Sequence, residues 1–173
     1  MPSPIGHGLA AIAAGWAIAG PAPSARARWT QGAIFAAVGA APDLDLLIHR
    51  HSAEVHSIGA ALIVGVVASL MRWPVARTRI AIGLAVFAAW ATHPLLDALA
   101  EDSSPPIGVM AFWPISTRYY KAGFEIFSSI YRDWRSPGII THNVAAIARE
   151  VLLLLPIVLI VWYLRRRRPY AYT

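Results

Sequence analysis

The sequence predicts an all-α protein, a polytopic membrane bundle of about five short spans with an outer amphipathic helix at the interface. Composition is the first reason. Hydrophobic residues make up 57% of the chain and charged ones 14%, where a soluble domain carries about a quarter charged. The second is pattern. Apolar stretches cover residues 5–20, 31–48, 57–71, 80–99 and 147–164, and none has a polar face at helical spacing. Helices apolar all round belong in a large core or in lipid, and 173 residues cannot surround five of them with protein. The third is where the charge sits. The net charge of +6 arises from basic residues in the gaps between apolar runs, so no nucleic-acid partner is expected. One membrane-embedded domain, 1–173, is expected, with 100–146 as an extramembrane insertion and 165–173 as a basic cytoplasmic tail.

The stretches are short, since a full span takes about 20 apolar residues; only the fourth meets that comfortably. The start, MPSPIGHG, lacks the positive region of a secretory signal peptide, and none is expected. Alternate gaps set the direction. Residues 21–30, 71–79 and the tail carry Arg26, Arg28, Arg72, Arg77, Arg79 and Arg165 to Arg168, nine basic residues and no acidic one. The other side holds the remaining six basic residues and all nine carboxylates. By the positive-inside rule the first side is cytoplasmic.

That orientation gathers the unusual residues into one outer layer. His7 opens the first span. Asp43 and Asp45 close the second beside Pro42. His49, His51 and His56 lie in the next loop, and His93 and Asp97 near the outer end of the fourth. Ionisable groups at membrane depth are costly and need partners or a metal. Each also has a plain structural reading: an interfacial histidine, a capping aspartate, a loop histidine. His93 and Asp97, four apart, share a helix face; Pro94 between them either kinks the helix or starts a new one. With no cysteine in the chain, the ligand set is His plus Asp, which suits zinc, manganese or iron. So many ligands favour two or three ions. Such sites clamp the attacking and leaving oxygens of a phosphoester and generate hydroxide at neutral pH.

Residues 100–146 are too polar to span. From Thr117 to Trp134, Tyr120, Phe124, Phe127, Tyr131 and Trp134 recur at three and four, opposite Arg118, Lys121, Glu125, Ser128 and Arg132. This pattern predicts an amphipathic helix, either packed over the spans or resting among headgroups. Arg118 and Lys121 are candidate phosphate contacts. His142 reads as an ordinary surface residue.

The ordered pieces GHG at His7, APDLDLL at Asp43 and Asp45, HSAEVHS at His51 and His56, THPLLDAL at His93 and Asp97, and FWPIS before Arg118 resemble the YdjM-like family of inner-membrane proteins read as metal-dependent hydrolases. That family looks distantly related to zinc-dependent phospholipases C and zinc nucleases, and the relation implies phosphoester hydrolysis. Ser52 stands where the family usually has Arg, and His49-Arg50 is an alternative match to the first loop histidine.

Together these readings predict a membrane enzyme with His7, Asp43, Asp45, His51, His56, His93 and Asp97 holding two or three zinc ions, with manganese the alternative metal. Asp45 would accept the proton from the attacking water, and Arg118 would steady the substrate phosphate. A membrane lipid or lipid-linked molecule is the expected substrate, attacked at the outer face. The rival readings are a divalent-cation transporter and a metal-stabilised structural or regulatory protein without turnover. No protein partner is identifiable.

Overall fold

The computed structural model describes residues 1–20, 22, 24–48, 52–73, 78–103 and 105–166, and these form five α-helices: α1 (Pro4–Ala19), α2 (Ala25–Ala40), α3 (Ile58–Leu70), α4 (Arg79–Ala98) and α5 (Ile139–Arg166). A 3-10 segment, Ala41–Ile48, follows α2 directly. Four helices start where a hydroxyl side chain satisfies an otherwise orphaned backbone N–H. Ser3, Ser24, Ser57 and Thr78 accept from Gly6, Ala27, Ala60 and Ala81. Pro42 helps end α2: Ala41 keeps α dihedrals, with φ −62° and ψ −35°, and its N–H turns to the Val38 carbonyl, while Pro42 has no N–H to continue the ladder. Pro94 lies inside α4, which runs through it as one helix.

Helices α1 and α4 form the middle of the bundle. α1 packs on α2, α4 and α5, while α4 packs on α1, α2 and α3. The contacts are close because the facing residues are small. A Cβ on Gly65 would lie 2.9 Å from the Gly83 carbonyl, and one on Gly83 would lie 2.8 Å from the Gly65 carbonyl. This is the small-residue packing that membrane helices use, where lipid offers no hydrophobic drive to association. α4 and α5 are long and apolar enough to cross a membrane, with 20 and 28 residues and mean hydropathy of 1.4 and 2.5. α1 and α3, with 16 and 13 residues, reach only about 24 and 20 Å. Large apolar side chains face outward along the bundle, among them Leu62, Val66, Leu70, Ile80, Leu152 and Ile160. So much exposed apolar surface marks a body made to be covered.

The outer region differs from the expectation in one respect. Thr117–Trp134 is not an amphipathic helix but extended chain and turns. Its backbone groups are taken by other elements. Ala122 N–H donates to the Ala98 carbonyl at 2.8 Å, Ile126 N–H to Leu99 at 2.7 Å, and Glu101 N–H to Phe127 at 2.9 Å. Val109 and Tyr120 exchange both backbone bonds at 2.9 Å. The last carbonyls of a helix have no partner within it, and at the end of α4 this segment supplies some of the missing donors. The residues that repeat at three and four do not share a buried face: Phe124 and Trp134 are exposed, and Phe127 alone of the five is in the core. Phe127 is buried with Ala10, Leu96, Ala100 and Leu154.

α5 also begins at Ile139, eight residues before the apolar stretch that predicted it, and its polar first turns grip the outer region. Asn143 accepts from Tyr131 N–H at 2.8 Å and donates to the Tyr131 carbonyl at 2.9 Å. His142, expected to be an ordinary surface residue, stacks on the Tyr131 ring with centroids 3.8 Å apart. Its Nε2 lies 2.8 Å from the Ser129 carbonyl.

A buried carboxylate ties α5 to the start of α1. Glu150 accepts the Ser3 N–H at 2.7 Å on one oxygen and the Ser3 hydroxyl on the other. A Cβ on Gly6 would come within 2.6 Å of Glu150 Oε2, so Gly6 leaves room for the carboxylate. Glu150→Ala should strand two buried donors and lower stability by about 2–4 kcal/mol. Glu150→Gln, which retains an acceptor, should cost less. Heat unfolding in detergent tests this, and equal midpoints for wild type and Glu150→Ala would remove the interaction from the account of stability.

Candidate metal centre

Four elements bring six of the expected residues to one place. α1 supplies His7 and the 3-10 segment supplies Asp43 and Asp45. The turn ahead of α3 supplies His56, and α4 supplies His93 and Asp97. His7, His56 and His93 are fully buried. His51 and its alternative His49 lie outside the described residues.

Local structure explains the convergence. A Cβ on Gly39 would lie 2.8 Å from the His7 carbonyl and would collide with the Ala11 Cβ. Glycine there lets α2 close on α1 beside His7. The Gly39 carbonyl then lies 2.7 Å from His93 Nδ1. A carbonyl can only accept, so Nδ1 carries the proton and Nε2 keeps its lone pair for a ligand. Trp90, one turn before His93, donates its indole N–H to the Val55 carbonyl at 2.9 Å, which fixes the turn carrying His56. His7 and His93 stack with centroids 3.7 Å apart.

The atoms face one another across gaps of one size. His7 Nε2 is 3.4 Å from Asp97 Oδ1. His93 Nε2 is 3.2 Å from Asp97 Oδ2 and 3.7 Å from Asp43 Oδ1. His56 Nδ1 is 3.2 Å from Asp45 Oδ2, and its Nε2 is 3.6 Å from Asp97 Oδ2. These separations sit at or beyond the limit of hydrogen bonding. Two ligands on one tetrahedral zinc, each about 2.1 Å from it, stand about 3.4 Å apart. His7 Nε2, His93 Nε2, Asp43 Oδ1 and both Asp97 oxygens are buried without a hydrogen-bond partner. Two triplets, His7–Asp43–His93 and His56–His93–Asp97, have ligand atoms within 4.8 Å of one another. Three carboxylates in an apolar setting need compensating positive charge, and the donor set is one that zinc accepts. The residues therefore fit a metal.

The surroundings hold residues the sequence reading passed over. Arg132 Nη2 is 3.9 Å from Asp43 Oδ1. Arg132 also lines a cavity of about 440 Å³ on the outer side, with Ser52, Glu101, Asp102, Tyr131 and Asp133 among its walls. Position in a helical pattern had placed Arg132 on a solvent face; with no helix there, that pattern carried no signal for it. Arg118 is exposed, and its backbone N–H donates to Ser116 Oγ at 3.2 Å. Asp102 accepts the Gly108 N–H at 2.7 Å and Glu101 the Ser129 N–H at 3.3 Å; both shape the loop and rim the cavity.

Wild-type protein reconstituted with zinc should hold about two equivalents or more by mass spectrometry, and His93→Ala and Asp43→Ala should lose them. Gly39→Val touches no ligand, yet it should lower the zinc content by forcing α1 from α2. Full occupancy in Gly39→Val would show that the helix contact does not set the geometry.

No curated protein and no solved structure matches the chain. The model of the YdjM inner membrane protein family matches residues 1–169, and the chain belongs to that family.

Proposed function

We propose that the chain is a membrane-bound metal-dependent hydrolase that cleaves a phosphoester of a lipid or lipid-linked substrate at the outer face of the membrane. One observation carries this reading. Three buried imidazoles and three carboxylates face one another at 3.2–3.7 Å, and Arg132 joins that cluster to an outer cavity. Asp97 turns one oxygen toward His7 and the other toward His56 and His93, so it would hold metal together with all three histidines. Zinc is the metal the ligands favour, with manganese as the alternative; bound there, it would polarise a phosphoryl oxygen and acidify water.

The chain's own residues then have separate tasks. Asp45, 7% exposed, is the carboxylate to accept the proton of the attacking water. Arg132 is placed to hold the phosphate by its forked donors, with Arg118 further out on the exposed loop. The Gly39 carbonyl keeps His93 in one tautomer and orientation. Orientation by the positive-inside rule puts this end of the bundle outside.

The rival transport reading needs a polar route through the bundle. Below the centre the core is built of Ala11, Phe35, Ile82, Ala85, Val86 and Ala89, which favours chemistry at one end over passage through.

Zinc-loaded protein in phospholipid vesicles should release phosphorylated headgroups, and Asp45→Asn should slow this by about 100-fold or more. Zinc bound in full with no release from lipid and no cleavage of soluble phosphoesters would sink the hydrolase reading. Cleavage of soluble phosphoesters alone would remove the lipid from it.

A further inference from the structure

The opposite end of the bundle holds a second unmatched cluster, made of donors alone. Arg165, in the last turn of α5, is 7% exposed. Its Nη2 donates to Gln31 Oε1 at 3.1 Å, and its Nε and Nη1 are buried without a partner. The guanidinium carbon lies 5.8 Å from the centre of the Trp16 ring. The Trp16 indole N–H is likewise buried without an acceptor. Arg28, one turn before Gln31 on α2, bears on Arg165 as a like charge.

A buried guanidinium next to a second arginine needs an anion. No Asp or Glu side chain can be that anion. The gaps on this side, 21–30, 71–79 and 165–173, contain none. The acid of α5, Glu150, sits fifteen residues earlier, about 22 Å along the helix. Several N–H groups pointing from different side chains are met best by an anion with several acceptor oxygens, and arginine suits phosphate. Trp162 and Tyr163 on the same turns, with Arg166 over the Trp162 ring at 4.9 Å, mark the depth of lipid headgroups.

We propose that Arg165, Trp16 and Arg28, with Gln31 steadying the guanidinium, form a binding site for a phosphate group at the Arg-rich end of the bundle. Its source is either the headgroup of an anionic phospholipid or free phosphate. The site is independent of the metal centre, so it stands or falls without the hydrolase reading.

Native mass spectrometry of the full chain, released from vesicles of equal phosphatidylglycerol and phosphatidylcholine, tests the lipid source. Wild type should retain phosphatidylglycerol in preference. Arg165→Gln and Arg28→Gln should each lower that retention by about tenfold, while Arg166→Gln, on the exposed side of the same turn, should not. Arg28→Gln keeps the test alive if Arg165→Gln fails to fold, because Arg28 is only half-buried. Titration of lipid-free protein in detergent with inorganic phosphate tests the other source, and binding lost in Arg165→Gln would support the site with free phosphate as its ligand. The proposal is overturned if neither probe is affected by Arg165→Gln and Arg28→Gln, or if Arg166→Gln lowers retention equally, since surface charge alone would then account for it.

Discussion

Asp43, Asp45 and Asp97 are carboxylates held among apolar helices, and the cost of keeping negative charge there constrains most of the structure around them. They can stay only if positive charge or ligated metal stays with them, and so three imidazoles and Arg132 surround them. The imidazoles in turn need fixed orientations. His93 takes its orientation from the Gly39 carbonyl, and that carbonyl is within reach because glycine lets α1 and α2 meet. The turn carrying His56 is held by the Trp90 indole. A short chain of contacts thus runs from helix packing to ligand geometry, and the weakest step is the one where a single Cβ would separate two helices.

The outer region answers a different need. At the end of α4 the carbonyls of Ala98 and Leu99 accept from Ala122, Ile126 and Phe127. A free-standing helix over 117–134 would have kept its N–H groups for itself and left those carbonyls unpaired. Extended chain can serve two masters, pairing Val109 with Tyr120 on one side and capping α4 on the other. Periodicity failed here because a repeat of three and four implies a shared buried face only if the segment is helical; in this extended cover Phe127 is buried while Tyr120, Phe124, Tyr131 and Trp134 are exposed.

Elsewhere the sequence was informative where the physics is local or severe. Apolar runs marked the five helices, because burial is written in neighbouring residues, although α2 begins at Ala25, six residues before its run, and continues past Ala40 only as the 3-10 segment. His7, Asp43, Asp45, His56, His93 and Asp97 stood out because charge in an apolar run is expensive, and the structure does place them together. Glu150 carried the same signal inside an apolar stretch, yet its partner Ser3 lies 147 positions away, and no local rule points from one to the other. Arg132 and the Arg165–Gln31 pair were hidden for the same reason. Their meaning depends on what α1, α2 and the outer loop bring beside them, which only the packed bundle defines.

The 3-10 segment carries both candidate ligands and exposed leucines, and that bears on what can reach the centre. Ala41–Ile48 alternates in purpose as well as in residue type. Asp45 is buried and Asp43 half-buried toward the histidines, while Leu44 and Leu47 are 64% and 78% exposed. In a membrane protein such exposed leucines belong against lipid tails or the headgroup boundary. An α-helix at this position would present a continuous stripe and bury one side fully. The tighter 3-10 turn begins where Pro42 breaks the α2 ladder, and it puts the carboxylates and the exposed leucines on one short segment. A hydrolase of soluble phosphoesters would gain nothing from an apolar rim there. A centre that receives its substrate from the bilayer would, because the acyl chains can remain against Leu44 and Leu47 while the phosphate reaches Arg132. Arg132, 3.9 Å from Asp43 and part of the cavity wall, is the link between this segment and the polar cavity; under the proposed hydrolase reading, the exposed leucines beside it favour a lipid over a soluble phosphoester.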